Sequence, residues 1–130
     1  MSKFIFTCGD TNGIGPEIVI KSLNQLIKKK KNHKFFFICP ANIFNKTISI
    51  HKPTFKFHCI DYKESNFSSD AQVTVILQPS VNQTIGKPTK ASGQASFKGL
   101  EYSYEMLKSN LADAVITAPV SKNALRLAGV

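Results

Sequence analysis

Acidic residues are scarce in this sequence: eight Asp and Glu stand against seventeen Lys and Arg, giving a formal net charge of +9. Tryptophan is absent, and 130 residues contain three cysteines. Cys8, Cys39 and Cys59 form no C-x-x-C pair, and an odd count argues against a closed disulfide framework. Each lies within or at the end of an apolar run, which predicts buried free thiols in a reducing compartment. Long hydrophobic runs are missing too. The first apolar run, Phe4-Ile5-Phe6, breaks at Gly9-Asp10, far short of a signal-peptide core or a membrane span. The expectation is a cytoplasmic protein with no membrane partner. With 42% hydrophobic and 19% charged residues, the composition is that of one globular domain with its own core.

The excess of base raises nucleic acid as a partner, because basic patches bind phosphate backbones. The one dense cluster, Lys28-Lys29-Lys30-Lys31 followed by His33 and Lys34, falls where a first helix ends. Cations there complement the negative end of the helix dipole. No aromatics interleave with the lysines and no recognition-helix signature is present, so the reading is a solvated helix end and no nucleic acid.

Strand and helix signals alternate along the chain. Lys3 to Cys8 reads as a buried strand rich in Phe and Ile. Val19, Leu23, Leu26 and Ile27 recur at helical spacing, which predicts an amphipathic helix from Pro16 to about Lys30. Phe35 to Cys39 is a second strand stopped by Pro40, and a weaker helix covers Ala41 to Thr47. Phe55 to Ile60 is a third strand, with Phe55, Phe57 and Cys59 on one face, and Val73 to Leu77 is a fourth. A long connection runs from Gln78 to Lys90. From Ser92 onward Phe97, Leu100, Tyr104, Leu107 and Leu111 mark a strong helix. Asp113 to Thr117 is a further strand, Ser121 caps a short helix reaching Leu127, and Gly129 stops it. The alternation implies an α/β fold: a mostly parallel sheet with helices on both faces.

Ligands of such sheets gather at the carboxyl ends of the strands. Two segments reach that edge: T-C-G-D-T-N-G-I-G-P-E after the first strand, and Thr117-Ala118-Pro119-Val120-Ser121-Lys122 after the last. The first looks like a phosphate cradle and fails as one. A dinucleotide fingerprint starting at Gly13 needs glycine where Ile18 stands, and no Gly-Lys-Ser/Thr completes a P-loop. Pro16 removes an N–H donor from the helix start, and Glu17 places a carboxylate in the first turn. Both weaken an anion site. Asp10 and Asn12 remain as polar groups at the ligand edge, and either a tight structural turn or a binding role accounts for them.

Gly9-Asp10-Thr11-Asn12-Gly13-Ile14-Gly15-Pro16-Glu17-Ile18 resembles the N-terminal motif of the 4-hydroxythreonine-4-phosphate dehydrogenase family, with Thr11 and Asn12 where that family commonly has Pro and Ala. Ser92-Gly93-Gln94-Ala95 opening a helix, then Asp113 through Lys122 and Ala128-Gly129, repeat the family's later block in the same order.

The resemblance implies an incomplete isocitrate/isopropylmalate-dehydrogenase-like fold. Residues 1–130 would be the N-terminal part of the first α/β domain, with the second domain and the C-terminal return to the first outside this sequence. It also implies an NAD(P)-dependent, divalent-metal-dependent homodimeric enzyme. The reaction would oxidise a phosphorylated hydroxy amino acid and then decarboxylate it, in pyridoxal phosphate biosynthesis.

The family's three metal-binding histidines and its G-H-T-E substrate motif lie downstream of this sequence. His33, His51 and His58 fall in no family motif and are not at metal-ligand spacing. No catalytic residue and no metal ligand is therefore assigned, and the 130 residues alone are expected to be inactive. The substrate-binding candidates are Lys122, Thr117, Asp10 and Asn12. Alternatives are the sister enzymes acting on four-carbon sugar-acid phosphates, and a non-catalytic remnant serving as a binding or dimerising module. The opening strand and the Asp113 strand are expected to lack neighbours that the rest of the family's polypeptide supplies, leaving sheet edges and apolar surface uncovered.

Overall fold

The computed structural model describes residues 1–29, 32–64 and 70–130. Lys30 and Lys31, and with them the expected end of the first helix, lie outside the described residues. Among the described residues five strands form one all-parallel sheet in the order β3-β4-β2-β1-β5, where β1 is Lys3–Thr7, β2 Lys34–Pro40, β3 Phe57–Asp61, β4 Val73–Gln78 and β5 Ala114–Thr117. Among the described residues four helices connect or follow them: α1 Gly15–Lys29, α2 Ala41–Ile50, α3 Lys90–Lys108 and α4 Lys122–Leu127. No helix among the described residues is long and apolar enough to cross a membrane.

The alternation of side chains along each strand divides the core into two. On one face Phe6, Phe35, Phe37, Val73 and Val75 meet Val19, Ile20 and Leu23 of α1 and Ile43 and Phe44 of α2. Edge-on ring contacts, such as Phe37 with Phe44 at 6.1 Å between centroids, fill that layer. On the other face Ile5, Phe36, Ile38, Ile60 and Ile76 meet Met106 of α3. Right-handed crossovers explain the split. The path from β1 through β2 to β3 moves one way across the sheet, and the path from β4 to β5 returns the other way, so α3 covers the opposite face.

Three expectations are corrected. β1 lies between β2 and β5 and is hydrogen-bonded to both, so among the described residues the edge strands are β5 and β3. Cys59 is exposed, because it sits on edge strand β3, where the face is not closed over it; Cys8 and Cys39 are buried. The apolar stripe of α3 is not its most buried face, although Leu107 packs against the core from the rim. The buried positions are Ser92, Gly93, Ser96, Gly99, Ser103 and Met106, whereas Tyr104 keeps 61% of its surface. Small side chains bring the helix axis close to the sheet, and this leaves the larger ones to the side. Some bounds also shift: the third strand begins at Phe57 rather than Phe55, and α3 begins two residues before Ser92.

Candidate ligand-edge site

β1 and β5 are adjacent and parallel, with Thr7 opposite Thr117, so the segments that follow them emerge side by side at one edge. The chain leaving β1 enters α1 on one face, while the chain leaving β5 enters α4, which packs on α3 at the other. A crevice between strands whose connections depart to opposite faces is where open α/β sheets bind ligands.

The two segments are physically joined. Asp10 donates its backbone N–H to the Pro119 carbonyl at 2.8 Å. Gly9 has φ 66°, and a Cβ there would collide with the Pro119 and Ala118 carbonyls, so a residue with any side chain would push the two turns apart. Within the first turn the Asp10 carboxylate accepts the Asn12 N–H at 3.0 Å, and the Asp10 carbonyl accepts the Gly13 N–H at 3.1 Å. This Asx-turn leaves Asp10 half-buried at the rim.

Thr117 and Lys122 flank the Pro119 junction, and both are exposed. Lys122 opens α4, whose Ser121 cap accepts the Ala124 N–H at 3.1 Å. Among the described residues Lys122 makes no ion pair. Asp10, Thr117 and Lys122 thus come to one edge.

Asn12 faces inward. Only 1% of it is exposed, and its amide is committed: Nδ2 donates to the Lys87 carbonyl at 2.8 Å and to Thr89 Oγ1 at 3.3 Å, and Oδ1 accepts the Thr84 N–H at 3.0 Å. Its own carbonyl accepts the Gly86 N–H at 2.7 Å, and the Thr11 carbonyl accepts Gln83 Nε2 at 3.0 Å. The pair Thr11-Asn12 therefore ties the long connection after β4 to the first turn.

Thr89 then caps α3 through a reciprocal bond with Ser92. One turn on, Gly93 lies so close to the Ala124 carbonyl of α4 that a Cβ would overlap it. The opening turn, the 79–89 connection, α3 and α4 are thereby chained together. Thr89 and Gly93 were missed as site-building residues. The Thr89-x-x-Ser92 spacing was the available signal for the cap, and no pattern in one sequence announces the α3–α4 approach.

A cavity of about 320 Å³ adjoins the first turn on the α1 and α2 side, where Asn12, Glu17, Lys46 and His51 line it; Thr117 and Lys122 are not among its lining residues. Glu17 is held below its ordinary value by the hydrogen bond from Lys21, with His51 assisting. His33 is half-buried beside Phe4, and His58 is exposed. Among the described residues no three His, Cys, Asp or Glu side chains come together as a metal site.

A family model described as "Pyridoxal phosphate biosynthetic protein PdxA" matches residues 30–130. The chain is 35% identical over 130 residues to a 4-hydroxythreonine-4-phosphate dehydrogenase of Zymomonas mobilis, covering 99% of this chain and 37% of that protein. A Nostoc protein of the same name is 25% identical over 127 residues, covering 98% of this chain and 34% of the relative. Among solved structures, the 4-hydroxythreonine-4-phosphate dehydrogenase of Klebsiella pneumoniae superposes with a TM-score of 0.79 at 26% identity, over 99% of this chain and 40% of that one. The chain therefore spans little more than a third of the length of these dehydrogenases. It belongs to the family of the pyridoxal phosphate biosynthetic protein PdxA.

Proposed function

We propose that this chain builds one wall of the substrate cleft of an NAD(P)- and metal-dependent 4-hydroxythreonine-4-phosphate dehydrogenase, as the N-terminal part of the enzyme's first domain. The observation that supports the reading is the junction of Asp10 with Pro119, which fixes the turns after β1 and β5 together at the crevice of the sheet. In this arrangement the Lys122 ammonium meets the substrate phosphate or carboxylate, the Thr117 hydroxyl orients the substrate, and the Asp10 carboxylate borders the cleft. Asn12 serves the same wall from behind by fixing the 79–89 connection.

The residues present do not fit a metal, since no ligand cluster forms among the described ones. Nor does the opening turn fit a nucleotide, with Pro16 and Glu17 at the helix start. Hydride acceptor and metal are assigned to parts of the family's polypeptide outside this chain, and no chemical step is routed through residues 1–130. The assembled enzyme is read as a cytoplasmic homodimer.

The test has two arms. The purified chain, given 4-hydroxythreonine 4-phosphate, NAD and a divalent metal, produces no NADH; turnover overturns the expected inactivity. By calorimetry the chain binds the phosphorylated substrate, and Lys122→Ala weakens binding about tenfold, the scale of one charge-assisted hydrogen bond. Binding unchanged in Lys122→Ala removes the proposed wall. Tighter binding of threonate 4-phosphate than of the amino acid favours the sugar-acid alternative.

A further inference from the structure

β1 and β2 are paired in register with Thr7 opposite Ile38, so the next residues, Cys8 and Cys39, face each other across adjacent strands. Both belong to the same buried cluster beneath α1 and α2, so both side chains point to the same face. Neighbouring strands lie about 4.8 Å apart. Cystines need Cα separations of roughly 4.4–6.8 Å, so a bond between these two requires little backbone movement.

We propose that Cys8 and Cys39 form an oxidisable dithiol that closes, in the folded chain, into a disulfide stapling the carboxyl ends of β1 and β2. Cys59, exposed on the far edge strand, takes no part.

The oxidant is a peroxide, small enough to reach a buried sulfur. One thiol gives an electron pair to a peroxide oxygen, the O–O bond breaks, and the departing hydroxide takes the thiol proton as water, leaving a sulfenic acid. The second sulfur attacks the first, the S–O bond breaks, and the second thiol proton leaves with that hydroxide as another water. Two thiols and one peroxide thus give one disulfide and two waters. Burial and the neighbouring Cys8 push the Cys39 thiol well up. Cys8 directly precedes Gly9, and its carbonyl lies against Gly15, so the bond would form at the base of the opening turn.

The experiment exposes the folded 130-residue chain, and in parallel the urea-unfolded chain, to hydrogen peroxide. The peroxide is then removed, both samples are brought into urea containing a maleimide so that any remaining thiol is blocked, and the disulfides are mapped by mass spectrometry. The folded chain is expected to yield a Cys8–Cys39 cross-linked peptide, reversed by dithiothreitol and retained in Cys59→Ser. The unfolded chain favours the shorter Cys39–Cys59 loop. If the folded Cys59→Ser chain keeps both thiols open to the maleimide, or yields only intermolecular cross-links, the proposal is overturned. Because Cys59→Ser alters an exposed residue, the result does not depend on whether a core variant folds. Nor does it depend on any substrate binding.

Discussion

The two faces of the sheet are built on different plans. Beneath α1 and α2, large side chains interlock: Phe37, Phe44, Val19 and Leu23 are buried, and two helices close the layer. Beneath α3 the contact is made through serines and glycines, and the buried oxygens Ser96 Oγ, Gln78 Oε1 and Thr7 Oγ1 find no hydrogen-bond partner. Larger apolar groups stay outside on that side, among them Tyr104 of α3 and Leu127 of α4. The first face is the larger interlocked core, with Ile14 and Ile50 exposed at its rim. The second is a close-fitting framework that carries the ligand edge and leaves apolar surface for something else to cover.

The sharpest way to break this comparison is to truncate one large side chain on each face. Phe37→Ala is expected to cost about 3–5 kcal/mol in denaturant unfolding, the usual range for a buried Phe. Tyr104→Ser should stay within about 0.5 kcal/mol, as exposed substitutions do. A comparable loss at Tyr104 would mean that its face is covered in solution, and sedimentation would then show self-association.

Next in size is Asn12→Ala, which strands the Thr84 N–H and the Lys87 carbonyl. A loss of about 1–3 kcal/mol is expected. Faster amide hydrogen exchange in residues 83–89 should accompany it, with little change in β2. Uniform loosening of the whole sheet would contradict a local tie.

The smallest effect is at Glu17. Its carboxyl is held below the ordinary 4.5, first by Lys21, so the pair's contribution is fully present above that value and is lost as pH falls through the lowered one. Unfolding midpoints of wild type and Glu17→Gln should therefore differ slightly at neutral pH and converge in acid, and added salt should shrink the difference. A gap that widens in acid would reverse the assigned sign.

Much of this architecture was legible in the sequence. The Phe35–Cys39 run, the Val19–Leu23 spacing and the Gly129 stop each map onto an element as read. In α3 the periodicity located the helix but not its most buried face. Ser92, Ser96, Gly99 and Ser103 repeat with the same three-and-four spacing as the apolar stripe, beginning at an earlier turn, and apolarity marked the less buried of the two. Strand order was not legible, because neighbours are set by the direction of each crossover. The two loop motifs were correctly placed at one edge, since a parallel sheet sends all its carboxyl ends the same way. The inward turn of Asn12 was hidden, because its partners lie more than seventy residues away.

The central claim is that the turns after β1 and β5 act as one binding wall. It is tested most directly by titrating the ¹⁵N-labelled chain with 4-hydroxythreonine 4-phosphate and following its amide spectrum. The account predicts that the amides of residues 9–13 and 117–122 shift together along a single binding curve, and that Lys122→Ala flattens it. Shifts confined to one of the two turns, or centred on the lysines at the end of α1, would contradict it.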